Sequence, residues 1–444
     1  MVKPFQRLIP WFLVITLLVV WGTNRLLADD PPNIVPPNIV LIISDDQHWG
    51  DYGYMDHPVV KTPHLDKLSQ QGLTFTRGYV PSSLCCPSLA SIITGQFPHS
   101  HRITGNDPPM PEGMQRGDFY QSQAYLDGRN VLIERMKELP TLPKLLATQG
   151  YLSMQTGKWW MGRYDSGGFT HGMTQGSRHG DDGLQIGRET MQPIADFLDI
   201  ADKEKKPFFL WYAPMLPHDP HDPPQRLLDH YADKTDSIHQ ARYWGNVERF
   251  DETCGQLFDE LDKRGLSDNT VIVYVCDNGW IQSQDKPQYA PKSKQSQYDG
   301  GLRTPVMIRW PGKIQPTRDD SHFVSSVDIF PTLLSIAGIS TNDNTLPGVN
   351  LLDKEAVAAR KAIYGECFTH DFVDLYRPEK NLRFRWMIED GWKLIVAQPG
   401  EETSIELYNV LDDPHEQKNL ATSQSRQVEE MLTKLNGFYQ PGQP

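Results

Sequence analysis

Cysteine is scarce in this chain. Five occur among 444 residues, at positions 85, 86, 254, 276 and 367, too few for a disulfide scaffold and odd in number. No Cys-x-x-Cys pair is present, which disfavours thioredoxin-like redox chemistry and cysteine-rich zinc sites. Basic charge is also short. Lys and Arg total 43 against 56 Asp and Glu, for a formal net charge of −13. That balance disfavours a nucleic-acid binder and a basic membrane-surface protein. It leaves open a local cationic pocket for an anionic substrate. No Asn-x-Ser/Thr sequence occurs, so nothing points to N-glycosylation.

Long apolar runs are missing too, apart from one at the N-terminus. Lys3 and Arg7 precede an apolar stretch from about residue 8 to 21, and the small Ala28 follows. This is the order of a secretory signal peptide, and the run is short for a membrane span. The expectation is a signal peptide over 1–28 and a linker over 29–37, with no stable span after cleavage. A periplasmic or extracellular protein, of bacterial type, fits this pattern; an uncleaved anchor is the alternative.

What is present suits a large core: 38% hydrophobic residues, including 11 Trp, 17 Tyr and 17 Phe. Apolar runs at 38–44, 207–214, 270–279 and 305–312 read as strands buried on both faces, the third with acidic or amide residues at its end. Helical periods at 64–75, 141–151 and 246–265 lie between them. A helix is also expected from about Ser88. Strands alternating with helices predict an α/β fold, a mostly parallel sheet flanked by helices, over 38–350. From 351 to 444 the texture changes to short strands around a Gly turn and a terminal amphipathic helix, which predicts a smaller α+β subdomain with an antiparallel sheet.

Asp45-Asp46 and Asp277-Asn278 each follow a buried strand. Open α/β sheets place their sites at such ends. Hard oxygen donors suit Ca²⁺, or less well Mg²⁺, rather than Zn²⁺. Taken singly, each pair could be ordinary turn chemistry; two pairs at equivalent ends favour a metal. Lys158, His218 and Lys294 lie in loops after strands, where they could hold an anion or protonate a leaving group. Surface charge is the plainer reading of each.

The stretch CCPSLASIITG at 85–95 resembles the signature of the formylglycine-dependent (type I) sulfatases, Cys-x-Pro-Ser-Arg followed by Thr-Gly. PNIVLIISDDQ, TPHLDKLSQQGLTF, TGKWWMG, PHDPH, CDNGW and KQSQYDGGLRTPVMIRWPG are similar to further segments of that family, in its order, from about residue 37 to 420. The resemblance implies an alkaline-phosphatase-like fold and hydrolysis of a sulfate monoester, first of all on a sulfated carbohydrate. It implies oxidation of Cys85 to formylglycine by a formylglycine-generating enzyme, with the hydrated aldehyde as nucleophile. Asp45, Asp46, Asp277 and Asn278 would hold one Ca²⁺ together with residue 85. Lys158, His218 and Lys294 would bind sulfate, with His218 or Lys294 protonating the departing alcohol. Cys86 would be the variable motif position.

Two positions depart from the family pattern. Leu89 stands where the signature has Arg, and Trp160 where Lys-Trp is followed by His. Leucine carries no charge, and indole is a donor only. Lys292 is a candidate to restore the charge, and His99, His101 or His179 the imidazole. Without compensation, the alternatives are a sulfatase-like protein that binds sulfated ligands, or a phosphoesterase-like hydrolase of the same superfamily. Trp159, Trp160 and Trp280 are candidates to stack on a sugar, core packing being the plainer reading of each.

Overall fold

The computed structural model describes residues 1–2, 36–340, 346–402 and 405–442. The expected signal segment and most of the linker lie outside these residues. Among the described residues no helix is long and apolar enough to cross a membrane.

Nine strands form the main sheet: β1 (Asn38–Ser44), β2 (Leu73–Tyr79), β3 (Leu152–Gly157), β4 (His171–Gly172), β5 (Phe208–Ala213), β6 (Thr270–Cys276), β7 (Arg303–Arg309), β8 (Thr317–Asp319) and β9 (Val324–Ser325). Their order is β4-β3-β5-β1-β6-β7-β2-β8, with β9 also paired to β2. The run β4-β3-β5-β1-β6 is parallel throughout. β7 runs antiparallel to both of its neighbours, so the sheet is mixed and mostly parallel. Ile39, Leu41 and Ile43 of β1 face one apolar layer, Val40 and Ile42 the other. Burial on both faces is what its unbroken apolar sequence requires.

A second sheet, antiparallel, has the order β10 (Ala362–Phe368), β11 (Leu382–Glu389), β12 (Trp392–Ala397), β13 (Ile405–Asn409). The terminal helix Ser425–Phe438 covers one face through Val428, Met431 and Leu435. Both sheets match the expected fold class.

Local boundaries differ from the sequence reading in several places. Helix α1 spans Pro63–Gln71, and residues 73–75 of the expected 64–75 belong to β2. Helix Ile238–Lys263 starts a full two turns before the expected 246. Helix α2 spans Cys85–Thr94, so it starts three residues ahead of Ser88. Pro87 sits in its first turn, where a missing N–H breaks no helical hydrogen bond.

One glycine links fold to site. Gly157 ends β3 at φ +75°, and a Cβ there would lie 1.8 Å from the Ala213 carbonyl oxygen. The backbone of β5 cannot yield to it, and the next residue is Lys158. Gly157→Ala should therefore cost about 2–4 kcal/mol through left-handed strain and backbone overlap, read as a lower urea midpoint with an unchanged m-value.

Candidate active site

The parallel strands β3, β5, β1 and β6 end side by side, and the expected residues follow them. The register pairs Ser44 with Cys276, so Asp45-Asp46 and Asp277-Asn278 leave the sheet together. The Asp277 N–H donates to the Ser44 carbonyl at 2.9 Å, and the Asp46 N–H to Asp277 Oδ1 at 3.1 Å. Consecutive strand residues point to opposite faces. Asp46 escapes this by adopting φ +64°, a left-handed conformation rare outside glycine, which turns its carboxylate toward that of Asp45. Asp45, Asp46 and Asp277 then place carboxylate oxygens within 4.8 Å of one another.

Lysines neutralise this cluster from both sides. Lys158 Nζ donates to Asp45 Oδ1 at 2.6 Å and lies 3.6 Å from Asp277 Oδ2. Lys294 Nζ donates to Asp46 Oδ2 at 2.6 Å. His218 follows β5; its Nδ1 donates to the Asp219 carbonyl at 2.6 Å and lies 2.9 Å from the Asp219 carboxylate. Its Nε2 lies 3.4 Å from Asp46 Oδ2 and 3.5 Å from Lys294 Nζ.

Burial and charge compete at each of these groups. Burial resists ionisation of Asp46, but Lys294, His218 and Lys158 outweigh it and hold its pKa below the usual carboxylate range. Burial, with Asp45 beside it, drives Asp277 well above that range. His218 is pushed up to about 10: burial opposes its charge, and Asp45 and Asp46 win. It is therefore cationic at neutral pH.

Cys85 occupies the first turn of α2 and lines the same cavity. Burial raises its thiol pKa, but Lys158 and Lys294, aided by His218, bring it down to about 7. Burial drives the Cys86 thiol well above its ordinary value. The two cysteines are free and chemically unlike.

The set fits a hard dication. Asp45 Oδ2, Asp277 Oδ2 and Asn278 Oδ1 are buried oxygens with no hydrogen-bond partner among the described residues. Orphaned acceptors of this kind cost free energy unless something pairs with them, and oxygens alone suit Ca²⁺ or Mg²⁺.

The site opens into a cavity of about 500 Å³. Its wall adds residues that the sequence reading did not single out: Asn106, Arg178, Tyr289 and His370. Arg178 donates to Asp107 through Nε and Nη2 at 2.9–3.2 Å and lies 4.8 Å over the Trp160 ring. The Arg-His pair in a glycine-rich loop was the available sequence signal for this wall.

Of the candidates for compensation, His179 alone reaches the cavity. Its ring meets Trp160 edge-on at 4.5 Å, and Arg178 Nη1 donates to its Nε2 at 2.7 Å. Burial and Arg178 hold its pKa far below the usual histidine value. His99 instead pairs with the buried Glu366 and stacks on Tyr439. His101 meets Ser91 Oγ and accepts from the Ile103 N–H. Lys292 turns away to the Glu416 carbonyl. Leu89 lies in the apolar layer against the sheet. Trp159 packs edge-on against Phe169 and Trp211, which takes it out of sugar stacking. Trp160 and Trp280 line the cavity but are nearly fully buried.

Fold and strand-end constellation together define an α/β protein with a candidate cation site behind a cavity lined by cationic side chains. The family model described as "Sulfatase" matches residues 37–339, and "N-sulphoglucosamine sulphohydrolase, C-terminal" matches 291–438. The chain thus belongs to the sulfatase family and is a sulfuric ester hydrolase. It is 28% identical to N-acetylgalactosamine-6-sulfatase of Mus musculus, over 76% of this chain and 69% of that one. It is 29% identical to arylsulfatase A of Bos taurus, over 74% and 70%. The crystal structure of Ps i-CgsB in complex with k-i-k-neocarrahexaose shares the fold, with a TM-score of 0.70, 22% identity and coverage of 91% and 92%.

The unequal cysteines give a direct test. In protein with Cys85 unmodified and divalent ions removed, iodoacetamide should alkylate Cys85 with a midpoint near pH 7 and leave Cys86 untouched. The rate at pH 7 should exceed that of an ordinary thiol by about tenfold. Lys158→Met removes a cation and should move the midpoint upward. Peptide mass spectrometry across pH reads both.

Proposed function

We propose that this protein hydrolyses sulfate monoesters of a sulfated glycan, using a formylglycine made from Cys85 and a bound Ca²⁺. The observation that carries this reading is the cluster of hydrogen-bond-free buried oxygens on Asp45, Asp277 and Asn278, with Lys158 paired to Asp45, directly behind a cavity lined by Cys85, His218 and Lys294. Asp45, Asp46, Asp277 and Asn278 would hold the ion. When bound, the ion polarises a sulfate oxygen and favours a deprotonated hydroxyl on residue 85; the formylglycine supplies that hydroxyl as nucleophile.

The remaining work falls to side chains of this chain. Lys158 and Lys294 hold the sulfate oxygens by charge, and the burial of both side chains strengthens the contacts. His218 is the proton donor to the departing alcohol. Its Nδ1 bond to the Asp219 carbonyl aims Nε2 at the site. Lys294, whose Nζ donates to Asp46 Oδ2, is left to the sulfate.

A sulfated glycan is favoured by the relatives named for N-acetylgalactosamine-6-sulfate and by the structure carrying neocarrahexaose. Maturation of Cys85 requires a formylglycine-generating enzyme in the host. Export through residues 1–28 accords with a polymeric extracellular substrate.

Mass spectrometry of the 82–102 peptide from the native host should find the aldehyde at position 85; unmodified Cys85 throughout would sink the mechanism. Asp277→Asn should reduce kcat by at least about 10²-fold with the fold retained. A structural Asp277 would instead cost the fold and leave turnover per folded molecule intact. Calcium added to chelator-treated protein should raise Tm, the stabilisation growing with the logarithm of free calcium above Kd; a hundredfold excess over Kd corresponds to about 2.7 kcal/mol.

A further inference from the structure

Between β6 and β7 the chain carries Lys294, and this segment is gripped by the second sheet. Lys393 of β12 is fully buried. Its Nζ lies 2.8 Å from Asp299 Oδ1 and 2.7 Å from Glu416 Oε1. The backbone N–H of Asp299 donates to Glu416 Oε2 at 2.6 Å, and Tyr79 Oη donates to Asp299 Oδ2 at 2.8 Å. Asp299 is therefore held at both carboxylate oxygens and at its N–H. Such a network is stiff because each member would be left as a buried unpaired charge if another moved.

Asp299 opens the turn Asp299–Leu302, which touches both halves of the site. The Gly279 N–H, next to Asn278, donates to the Gly301 carbonyl at 2.9 Å. A Cβ on Gly301 would lie 2.3 Å from the Ser293 carbonyl oxygen, so the turn and the residue before Lys294 are in backbone contact. Ser293 Oγ accepts from the Ile281 N–H at 2.5 Å. On the other side, the Gln295 N–H donates to the Ser83 carbonyl at 3.0 Å, two residues before Cys85. Lys292 Nζ donates to the Glu416 carbonyl, a second tie to the same segment.

We propose that Lys393, through Asp299 and Glu416, is a positioning residue for the anion cavity: the second sheet sets where Lys294 stands relative to Asp46. Lys393 touches neither the cavity nor the carboxylate cluster. It acts by fixing the turn against which the Lys294 segment and the Gly279 backbone are packed. The inference rests on the reading of Lys294 as a sulfate ligand.

The test measures calorimetric binding of inorganic sulfate and steady-state kinetics on a sulfate ester, with the full chain and with Lys393→Met, Lys292→Ala and Glu416→Gln. Lys393→Met, folded by near-UV circular dichroism, should bind sulfate at least tenfold more weakly. Its kcat/KM should fall by about 10²-fold, the scale of a 1 Å misplacement. Lys292→Ala should shift both in the same direction by a smaller factor. Glu416→Gln keeps an oxygen for the Asp299 N–H but sets its amide NH2 against Lys393 Nζ, and should weaken both in the same direction by less than Lys393→Met.

A merely structural Lys393 would lower Tm and leave sulfate affinity unchanged, and that result overturns the inference. If Lys393→Met does not fold, Lys292→Ala decides: unchanged sulfate affinity there overturns the inference, and weakened affinity supports it. Failure of the sulfate-site reading itself is seen separately, as a wild-type chain that neither binds sulfate nor releases it, and the inference falls with it.

Discussion

Three buried carboxylates within 4.8 Å of one another repel, and the site is built around that repulsion. At such separation in a dry environment the interaction is several kcal/mol per pair, so the cluster persists only beside cations. Lys158 enters from the end of β3 and Lys294 from the loop after β6, each 2.6 Å from a carboxylate oxygen. The same cations that steady the carboxylates bring the Cys85 thiol down, and in the proposed reaction they hold the sulfate. In that proposal one electrostatic arrangement serves as cation site, activated residue and anion cradle. Misplacing either lysine would disturb all three.

The two departures from the family signature are absorbed differently. Leu89 joins the apolar layer under α2, and no cation reaches toward the carboxylates from that position. Trp160 has Arg178 over its ring and meets the His179 ring edge-on. An imidazole therefore remains in the cavity, delivered from another loop. Burial and Arg178 keep it uncharged, so it hydrogen-bonds as a neutral ring. Arg178 is balanced by the fully buried Asp107, so this ion pair adds little net charge to the cavity wall.

Much of the fold was legible because its signals are local. Unbroken apolar runs marked β1, β5 and β6, and the Gly turn at 391 marked the hairpin of β11 and β12. The antiparallel course of β7 was not legible, since an apolar run reads the same in either direction. The start of α2 at Cys85 was missed because proline suggests a helix boundary, yet Pro87 is tolerated within a first turn. Lys292, His99 and His101 were plausible by residue type alone. Their partners, Glu416, Glu366 and Ser91, lie as far as 267 residues away in the chain, and those partners decided where the side chains point.

The sequence by itself determined which strands end in oxygen donors, which residues near them are cationic, and which cysteine sits in the signature. These follow from residue type and short-range period. Tertiary structure decided the rest. Pairing of β1 with β6 brings Asp46 against Asp277 across 231 positions, the left-handed turn at Asp46 aims two adjacent carboxylates at one point, and the Lys393–Asp299–Glu416 triad ties the second sheet to the loop of Lys294. Period and composition fix a residue's neighbours along the chain. Strand register and buried charge pairing fix its neighbours in space, and the chemistry depends on those.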